Sequence, residues 1–254
     1  VGHGYIQQLG GVISELLGQF IFYNGSTWDG SSTAANASDD LAIATDKTPL
    51  LPGGIGRFAN YTSYSRGING IMVDILNLPG PVSASDFSFR VGNTTNLASS
   101  NLVFWATAPA PTSVSVRSGA GVSGSDRVTL IWANNAIQKQ WLEIQVHPTA
   151  GTGLSTNTSF FFGNAIGDTG NSAANANVTS ADASAVLGNL LGSGAAITNR
   201  FDINRSKSVT SADASIALGN LVGGTSALQL INLASYVPVA FLPPPNRKST
   251  RLNS

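Results

Sequence analysis

The chain has 254 residues, a formal net charge of zero and no cysteine. The missing cysteines exclude disulfides, thiolate metal sites and a cysteine nucleophile. The neutral balance, with only 10% charged residues, provides no basic surface for nucleic acid, and no stretch approaches the roughly 18 apolar residues of a membrane span.

The N-terminal segment shows helical rather than strand-like spacing. The chain starts at Val1 without a signal-peptide pattern, so we interpret it as part of a longer secreted protein. Apolar residues recur over 5–20 with a period close to that of a helix. We expect residues 1–18 to be the end of an upstream element or a linker. The residues that carry this spacing are Ile6, Leu9, Val12, Ile13, Leu16 and Leu17.

Residues 19–147 are typical of an antiparallel β-sandwich. Short apolar runs separated by Gly, Pro, Asn and Ser indicate many strands. In 142–146 apolar and polar residues alternate, which favours a strand with one buried face. The candidate strands are 20–23, 71–76, 87–91, 102–105, 113–117, 127–132 and 141–146. Residues 148–158 are predicted to be a linker, and 159–162 could add a strand.

The β region offers no catalytic constellation. Its histidines are far apart in sequence and no G-x-S-x-G elbow is present. Four aspartates in one loop could pair for glycoside chemistry or bind calcium, but we favour solvated loop residues. Five aromatic residues could stack on sugars, although a core role is the more usual one. These residues are His3, His147, Asp29, Asp39, Asp40, Asp46, Trp28, Tyr61, Tyr64, Trp105 and Trp132.

The C-terminal third contains an internal repeat. The sequence Val178-Thr-Ser-Ala-Asp-Ala-Ser recurs at Val209 with an offset of 209 − 178 = 31 residues. Apolar residues then follow at helical spacing in both copies. We therefore predict two loop–helix units that pack together with pseudo-twofold symmetry. Their apolar stripes are Ala183, Val186, Leu187, Leu190 and Leu191, and Ala214, Ala217, Leu218, Leu221 and Val222.

The segment before each helix has the spacing of a calcium loop. Calcium takes six to eight oxygen ligands, and an EF-hand loop supplies them from positions 1, 3, 5, 7, 9 and 12. Counted from Asp202, these positions are Asp202, Asn204, Ser206, Ser208 (through its carbonyl), Thr210 and Asp213. The first copy offers Asn171, Asn175, Asn177, Thr179 and Asp182, with Asp168 as first ligand if the loop carries an insertion. We expect two calcium sites, of which the second loop is the better.

A simpler interpretation of the same residues remains open. Thr179 and Thr210 each precede an aspartate by three residues, at Asp182 and Asp213. This spacing also fits a helix N-cap with a supporting carboxylate, a variant of the capping box. Polar loops before helices are common without any metal.

The duplicated loop and helix resemble a type I dockerin module over about 161–224. Segments 22–30, 59–70, 136–141 and 160–172 add a resemblance to the C-terminal region of large secreted proteins of environmental bacteria, a β domain followed by dockerin-like repeats. The resemblance implies a calcium-dependent module that attaches carbohydrate-active enzymes to cohesin-bearing scaffolds. It also implies that positions 10 and 11 of each loop help to choose the partner; here these are Ser180, Ala181, Ser211 and Ala212.

The two loops differ from a standard EF-hand loop in ways that affect calcium binding. An EF-hand loop has Gly at position 6, where the backbone turns sharply. This chain has Lys207 at that position in the second loop and Ala176 in the first. A left-handed conformation at such a residue costs roughly 1–2 kcal/mol. Because each loop has few carboxylates, we expect weak binding, on the order of 10⁻⁴–10⁻³ M.

Together these features predict a mainly β protein with a small α module, an antiparallel β-sandwich followed by a dockerin-like pair at 159–224. An apolar, proline-rich tail follows at 225–246. Residues 247–254 resemble the translation of a sequencing-adapter oligonucleotide, although a genuine basic tail is the alternative. The predicted role is non-catalytic, extracellular attachment to a cohesin-like or other protein module, a cell surface or a matrix.

Two other roles remain open. The chain could be the end of a polysaccharide-degrading glycoside hydrolase whose catalytic domain lies elsewhere. It could also be a structural subunit that self-associates by strand or terminus exchange, with 5–20 or 228–242 as the donor.

Overall fold

The computed structural model describes residues 13–93, 105–236 and 238. Strands dominate this part of the chain, as predicted, and two short α-helices follow near its end. The strands are β1 Glu15–Ile21, β2 Tyr61–Thr62, β3 Gly70–Leu76, β4 Phe87–Gly92, β5 Ala106–Thr107, β6 Ser113–Arg117, β7 Asp126–Ile131, β8 Trp141–Val146 and β9 Thr158–Asn164. The helices are α1 Ser180–Leu187 and α2 Ser211–Gly219. None of the described helices is long and apolar enough to cross a membrane.

The strands form two sheets with different pairing. The first has the order β1-β3-β7-β6 and is antiparallel throughout. The second has the order β2-β9-β8-β4-β5, in which only the β2–β9 pair is parallel. Both sheets contribute to one core, with Ile71 and Val73 from the first and Leu142, Ile144 and Phe160 from the second. The two sheets therefore make a β-sandwich.

A second core covers the outer face of the second sheet. Phe161 and Trp141 point there, together with Leu228, Ile231 and Tyr236 of the segment after the repeats. Strands β8 and β9 are therefore buried on both faces. This explains why the polar residues of β8 do not face solvent, contrary to the alternating pattern. Glu143 is buried and accepts a hydrogen bond of 2.6 Å from the Tyr236 hydroxyl.

Three segments differ from the sequence interpretation. Residues Glu15–Ile21 form an edge strand paired with β3 rather than a helix, because partnering with β3 overrides a local apolar spacing. Strand β9 contains the possible strand 159–162 and lies inside the second sheet, so the predicted start of the repeat module at 159 falls within the sandwich. Residues 228–236 are core rather than tail. The predicted strand 102–105 lies mostly outside the described residues, as do 239–254.

The two repeats pack with the expected pseudo-twofold symmetry. Val178 and Val222 exchange backbone hydrogen bonds of 2.9 Å in both directions, and Leu191 and Val209 do the same at 2.8 and 2.7 Å. Adding the 31-residue offset to 178 and 191 gives 209 and 222, so the two bridges are equivalent. The third core between the repeats contains Val178, Ala183, Val186, Ile203, Val209, Ala214 and Ala217.

Candidate metal centre

The second loop is wound around Asp202. Its two carboxylate oxygens accept one backbone N–H each, from Ser206 at 2.9 Å and from Lys207 at 3.0 Å. Asn204 Oδ1 also accepts the Ser206 N–H, at 3.0 Å. Lys207 stands at φ 67°, in the left-handed region where the EF-hand turn uses Gly. The sequence expectation for this position is therefore confirmed.

Asp213 closes the same loop from the start of α2. Its Oδ1 accepts the N–H groups of Ile203 at 2.9 Å and Asn204 at 3.1 Å. Its Oδ2 accepts the N–H and hydroxyl of Thr210 at 2.9 and 3.2 Å. Thr210 in turn caps the helix, so the capping interpretation of this pair is confirmed.

The first loop repeats this plan with an insertion. Thr169, directly after Asp168, donates its N–H to Asp182 at 3.0 Å, as Ile203 after Asp202 donates to Asp213. Asp168 therefore occupies the first position, and the loop is longer by (182 − 168) − (213 − 202) = 3 residues. Asp182 also closes a capping box with Thr179.

The other predicted ligands of the first loop are arranged less regularly than those of the second loop. Asn171 donates its amide to Asp182 at 2.9 Å. Asn175 is exposed and accepts the Asn177 N–H at 3.1 Å, a local turn. Ala176 is not among the described residues with positive φ, so the strain expected there is absent. The inserted residues move the left-handed turn to Gly170, at φ 66°.

Each repeat buries two carboxyl groups close together. The pKa of Asp168 is raised to about 6: burial is the largest cause, hydrogen bonds from Tyr61 and Gly170 oppose it, and the charge of Asp182 adds to it. Burial also raises the pKa of Asp202, where the charge of Asp213 adds to the effect and Arg205 opposes it. All four aspartates are at most 1% exposed. A cation between the members of each pair would relieve this repulsion.

The donor chemistry fits calcium, with one condition. Every candidate ligand is a hard oxygen, as calcium requires. No group of three or more His, Cys, Asp or Glu that could hold a metal ion occurs within the described ranges. A carboxylate oxygen has about two acceptor sites, so both oxygens of Asp202 can still accept an ion. Those of Asp213 already have two donors each and would have to exchange them. Calcium would thus be held by Asp202, Asn204, Ser206, Ser208 and Asp213.

The repeats are fixed to the sandwich by Arg205, which the sequence analysis did not single out. This side chain is 1% exposed, stacks over the Tyr23 ring at 4.3 Å, and donates to the carbonyls of Ile197 at 3.1 Å and Asn199 at 2.7 Å. Because Tyr23 is 182 residues away in the chain, no local pattern could reveal the contact. Tyr61 is a second such residue; it donates its hydroxyl to Asp168 Oδ2 at 2.6 Å.

The surface of the repeats presents leucines at equivalent positions. Leu187 and Leu218 are 50% and 49% exposed, and Leu190 and Leu221 are 57% and 52% exposed. The sequence placed them in buried stripes, but α1 ends at Leu187 and α2 at Gly219. Only the first turns of each stripe therefore reach the core. The predicted partner-binding residues Ser180, Ala181, Ser211 and Ala212 are also exposed, at the beginnings of the helices.

Two interpretations of the β region are settled by burial. Tyr61, Tyr64, Trp105 and Trp132 are at most 5% exposed, so they do not form a sugar-stacking surface and belong to the core, as favoured. The four aspartates of the loop do not all have the environment that we expected. Asp29 and Asp39 are at most 2% exposed, so the solvated interpretation is wrong for these two.

Comparison of the chain with protein-family models, with curated proteins and with solved structures finds no match.

Proposed function

We propose that the chain is a non-catalytic, extracellular attachment module whose paired repeats bind calcium and a protein partner. The attachment role is supported mainly by the exposure of four leucines at symmetry-equivalent positions. They are Leu187, Leu218, Leu190 and Leu221. Contiguous exposed apolar patches typically mark interaction surfaces, and we expect these symmetry-equivalent leucines to supply one. The predicted partner-binding serines and alanines are also exposed, at the starts of the same helices.

Calcium supports this role by neutralising the buried carboxylate pairs. Asp168 with Asp182, and Asp202 with Asp213, hold the loops from which the two helices start. An ion bound only to the folded chain stabilises that chain by mass action. The chain has no disulfides, so calcium would serve as its stabilising link outside the cell.

The partner of first choice is a cohesin-like module, because the repeats resemble type I dockerins. The strand-exchange alternative is less favoured. Its C-terminal donor segment is already packed in the core of the same chain, where Leu228, Ile231 and Leu233 are at most 2% exposed. The other donor segment ends in β1, which is already paired along its length with β3. The hydrolase alternative concerns the parent protein and does not conflict with an attachment role.

The test is calorimetric titration of the full chain with a purified type I cohesin, once in millimolar calcium and once in chelator. We expect binding in calcium only. The double variant Leu187→Ser/Leu218→Ser should weaken it by tenfold or more, because burying one leucine contributes about 1.5–3 kcal/mol and each 1.4 kcal/mol is a factor of about ten.

Leu41→Ser is the matched control, because Leu41 is 66% exposed but lies in the sandwich. It should leave the affinity unchanged. Absence of binding to cohesin in calcium would contradict a cohesin-type partner. Equal weakening by the control would show that the leucines of the repeats have no special role.

A further inference from the structure

The sandwich contains buried oxygens that have no hydrogen-bond partner in the part of the chain that the structure describes. They are Oδ1 of Asp29, Oδ1 of Asp39 and Oδ1 of Asn24. The three residues are 2%, 0% and 1% exposed. An unsatisfied buried acceptor costs about 1–3 kcal/mol, and more when it is charged, so three of them in one loop region call for a physical reason.

Two short 3₁₀ helices, Thr27–Asp29 and Ala37–Ala42, bring the two aspartates together by packing against each other. In each case the backbone fixes one carboxylate oxygen. Asp29 Oδ2 accepts the Gly25 N–H at 2.5 Å, and Asp39 Oδ2 accepts the Asn36 N–H at 2.9 Å. The second oxygen of each group is left over.

Asn24 is held in place beside them. Its carbonyl oxygen accepts the Tyr64 hydroxyl at 3.2 Å and the Asn69 amide at 2.8 Å. Its own Nδ2 contacts the Thr33 carbonyl at 3.4 Å, which orients the side chain toward the loop that carries Asp29. The next N–H along the chain, that of Gly25, is the donor to Asp29. The free oxygens of Asn24 and Asp29 thus belong to one turn, and that of Asp39 belongs to the short helix packed against it.

Among the described residues, no protein cation forms an ion pair with either carboxylate; Arg66 donates to the Gly25 carbonyl instead. The ion pairs of the nearby arginines go elsewhere, to Asp40 from Arg117 and Arg127 and to Asp74 from Arg127. Neither Asp29 nor Asp39 forms an ion pair within the part of the chain that the structure describes. Burial raises the pKa of Asp39; the Asn36 N–H and the charge of Arg117 lower it, and the charges of Asp29 and Asp40 raise it.

We propose that Asn24, Asp29 and Asp39 form a calcium site in the sandwich. Two carboxylate oxygens and one amide oxygen are the ligands that calcium prefers, and water can supply the remaining positions. The ion would link the two short helices across the loop. This site stands whether or not the repeats bind calcium.

The test uses the full chain carrying Asp168→Asn and Asp202→Asn, which weaken the sites proposed in the repeats. Calcium binding is measured by calorimetry, and thermal unfolding is followed in calcium and in chelator. We expect this background to keep one site and to gain about 5–10 °C in Tm at a hundredfold excess of calcium over Kd. Adding Asp29→Asn/Asp39→Asn should abolish both the heat of binding and the Tm gain.

A further measurement in chelator keeps the result independent of folding defects. There, Asp29→Asn/Asp39→Asn should raise the Tm, because the amides remove two uncompensated charges and keep the backbone contacts. The matched control is Asp126→Asn, which changes a half-buried aspartate at the far end of β7 and should preserve the calcium response. The proposal is overturned if the background binds no calcium, or if it binds equally well after Asp29 and Asp39 are changed.

Discussion

At the residue scale, the buried carboxylates dominate the chemistry of this chain. The repeats bury four and the sandwich loop buries two, and among the described residues none of these six forms an ion pair with Lys or Arg within 4.0 Å. A buried anion without a counterion destabilises the folded state. Asp168 and Asp202, whose pKa values are raised mainly by burial, therefore lower the stability of the chain unless a cation or a proton neutralises them.

Asp168→Asn should stabilise the calcium-free chain at pH 7. The folded-state pKa of Asp168 is about 6, against 3.8 for an ordinary aspartate. The folded state therefore binds more protons between about pH 4 and 6, and stability falls as the pH rises through that window. The asparagine removes this loss, which amounts to about 3 kcal/mol at pH 7. Urea unfolding in chelator at a series of pH values measures it.

Asp40→Asn is the control with the opposite sign. Burial raises the pKa of Asp40, but hydrogen bonds from Arg117 and Arg127 outweigh that effect and lower it. Asp40 therefore contributes stability above its unfolded-state pKa, and this contribution is lost as the pH falls. Its asparagine variant should be less stable at pH 7. An Asp168→Asn chain with an unchanged pH profile would show that Asp168 ionises freely in the fold.

The sequence predicted the identity of the loop residues better than their environment. Spacing alone identified Asp202 and Asp213 and allowed an insertion before Asn171 that makes Asp168 the first residue. It could not show that Asp29 and Asp39 are buried, because their burial depends on two short helices packing together. Loop composition of this kind is usually associated with solvent.

At the element scale, the second loop is fixed to the sandwich through one side chain. Arg205→Ala should lower the free energy of unfolding by about 2–4 kcal/mol. It removes two hydrogen bonds from a charged group, worth about 1.5–3 kcal/mol each before compensation, and the stacking on Tyr23. It also leaves Asp202 without its nearest cation. Urea unfolding in chelator measures the loss.

Arg200→Ala is the matched control for Arg205, because Arg200 lies five residues away, is exposed, and contacts only the Phe201 ring at 5.2 Å among the interactions the structure records for it. It should change the stability by less than about 0.5 kcal/mol. If the two variants were equally stable, Arg205 would not anchor the repeats to the sandwich.

Elements with a clear hydrophobic periodicity were predicted well. Elements whose conformation depends on pairing with residues distant in sequence were not. The predicted strand 141–146 coincides with β8, and 71–76 lies within β3. The apolar spacing of 5–20 indicated a helix, but its described part pairs with β3 as a strand. Pairing across more than 50 residues cannot be seen in a local pattern.

At the scale of the whole molecule, the repeats and the sandwich share their packing. Strand β9 leads directly into the first loop, and the segment after the second repeat returns to cover the second sheet. Ser65 and Thr27 of the sandwich donate backbone hydrogen bonds to Ile203 and Arg205 at 3.1 and 3.2 Å. A division at 159 would separate β9 from β8, so calcium binding by the repeats has to be measured on the full chain.

The most direct measurement is therefore a calorimetric calcium titration of the full chain that carries Asp29→Asn/Asp39→Asn, so that only the repeats can respond. We expect two sites with Kd on the order of 10⁻⁴–10⁻³ M, one lost with Asp202→Asn and the other with Asp168→Asn. No binding at millimolar calcium would contradict the calcium role, and the repeats would then be two capped helices held by their shared apolar core and by hydrogen bonds, without a metal.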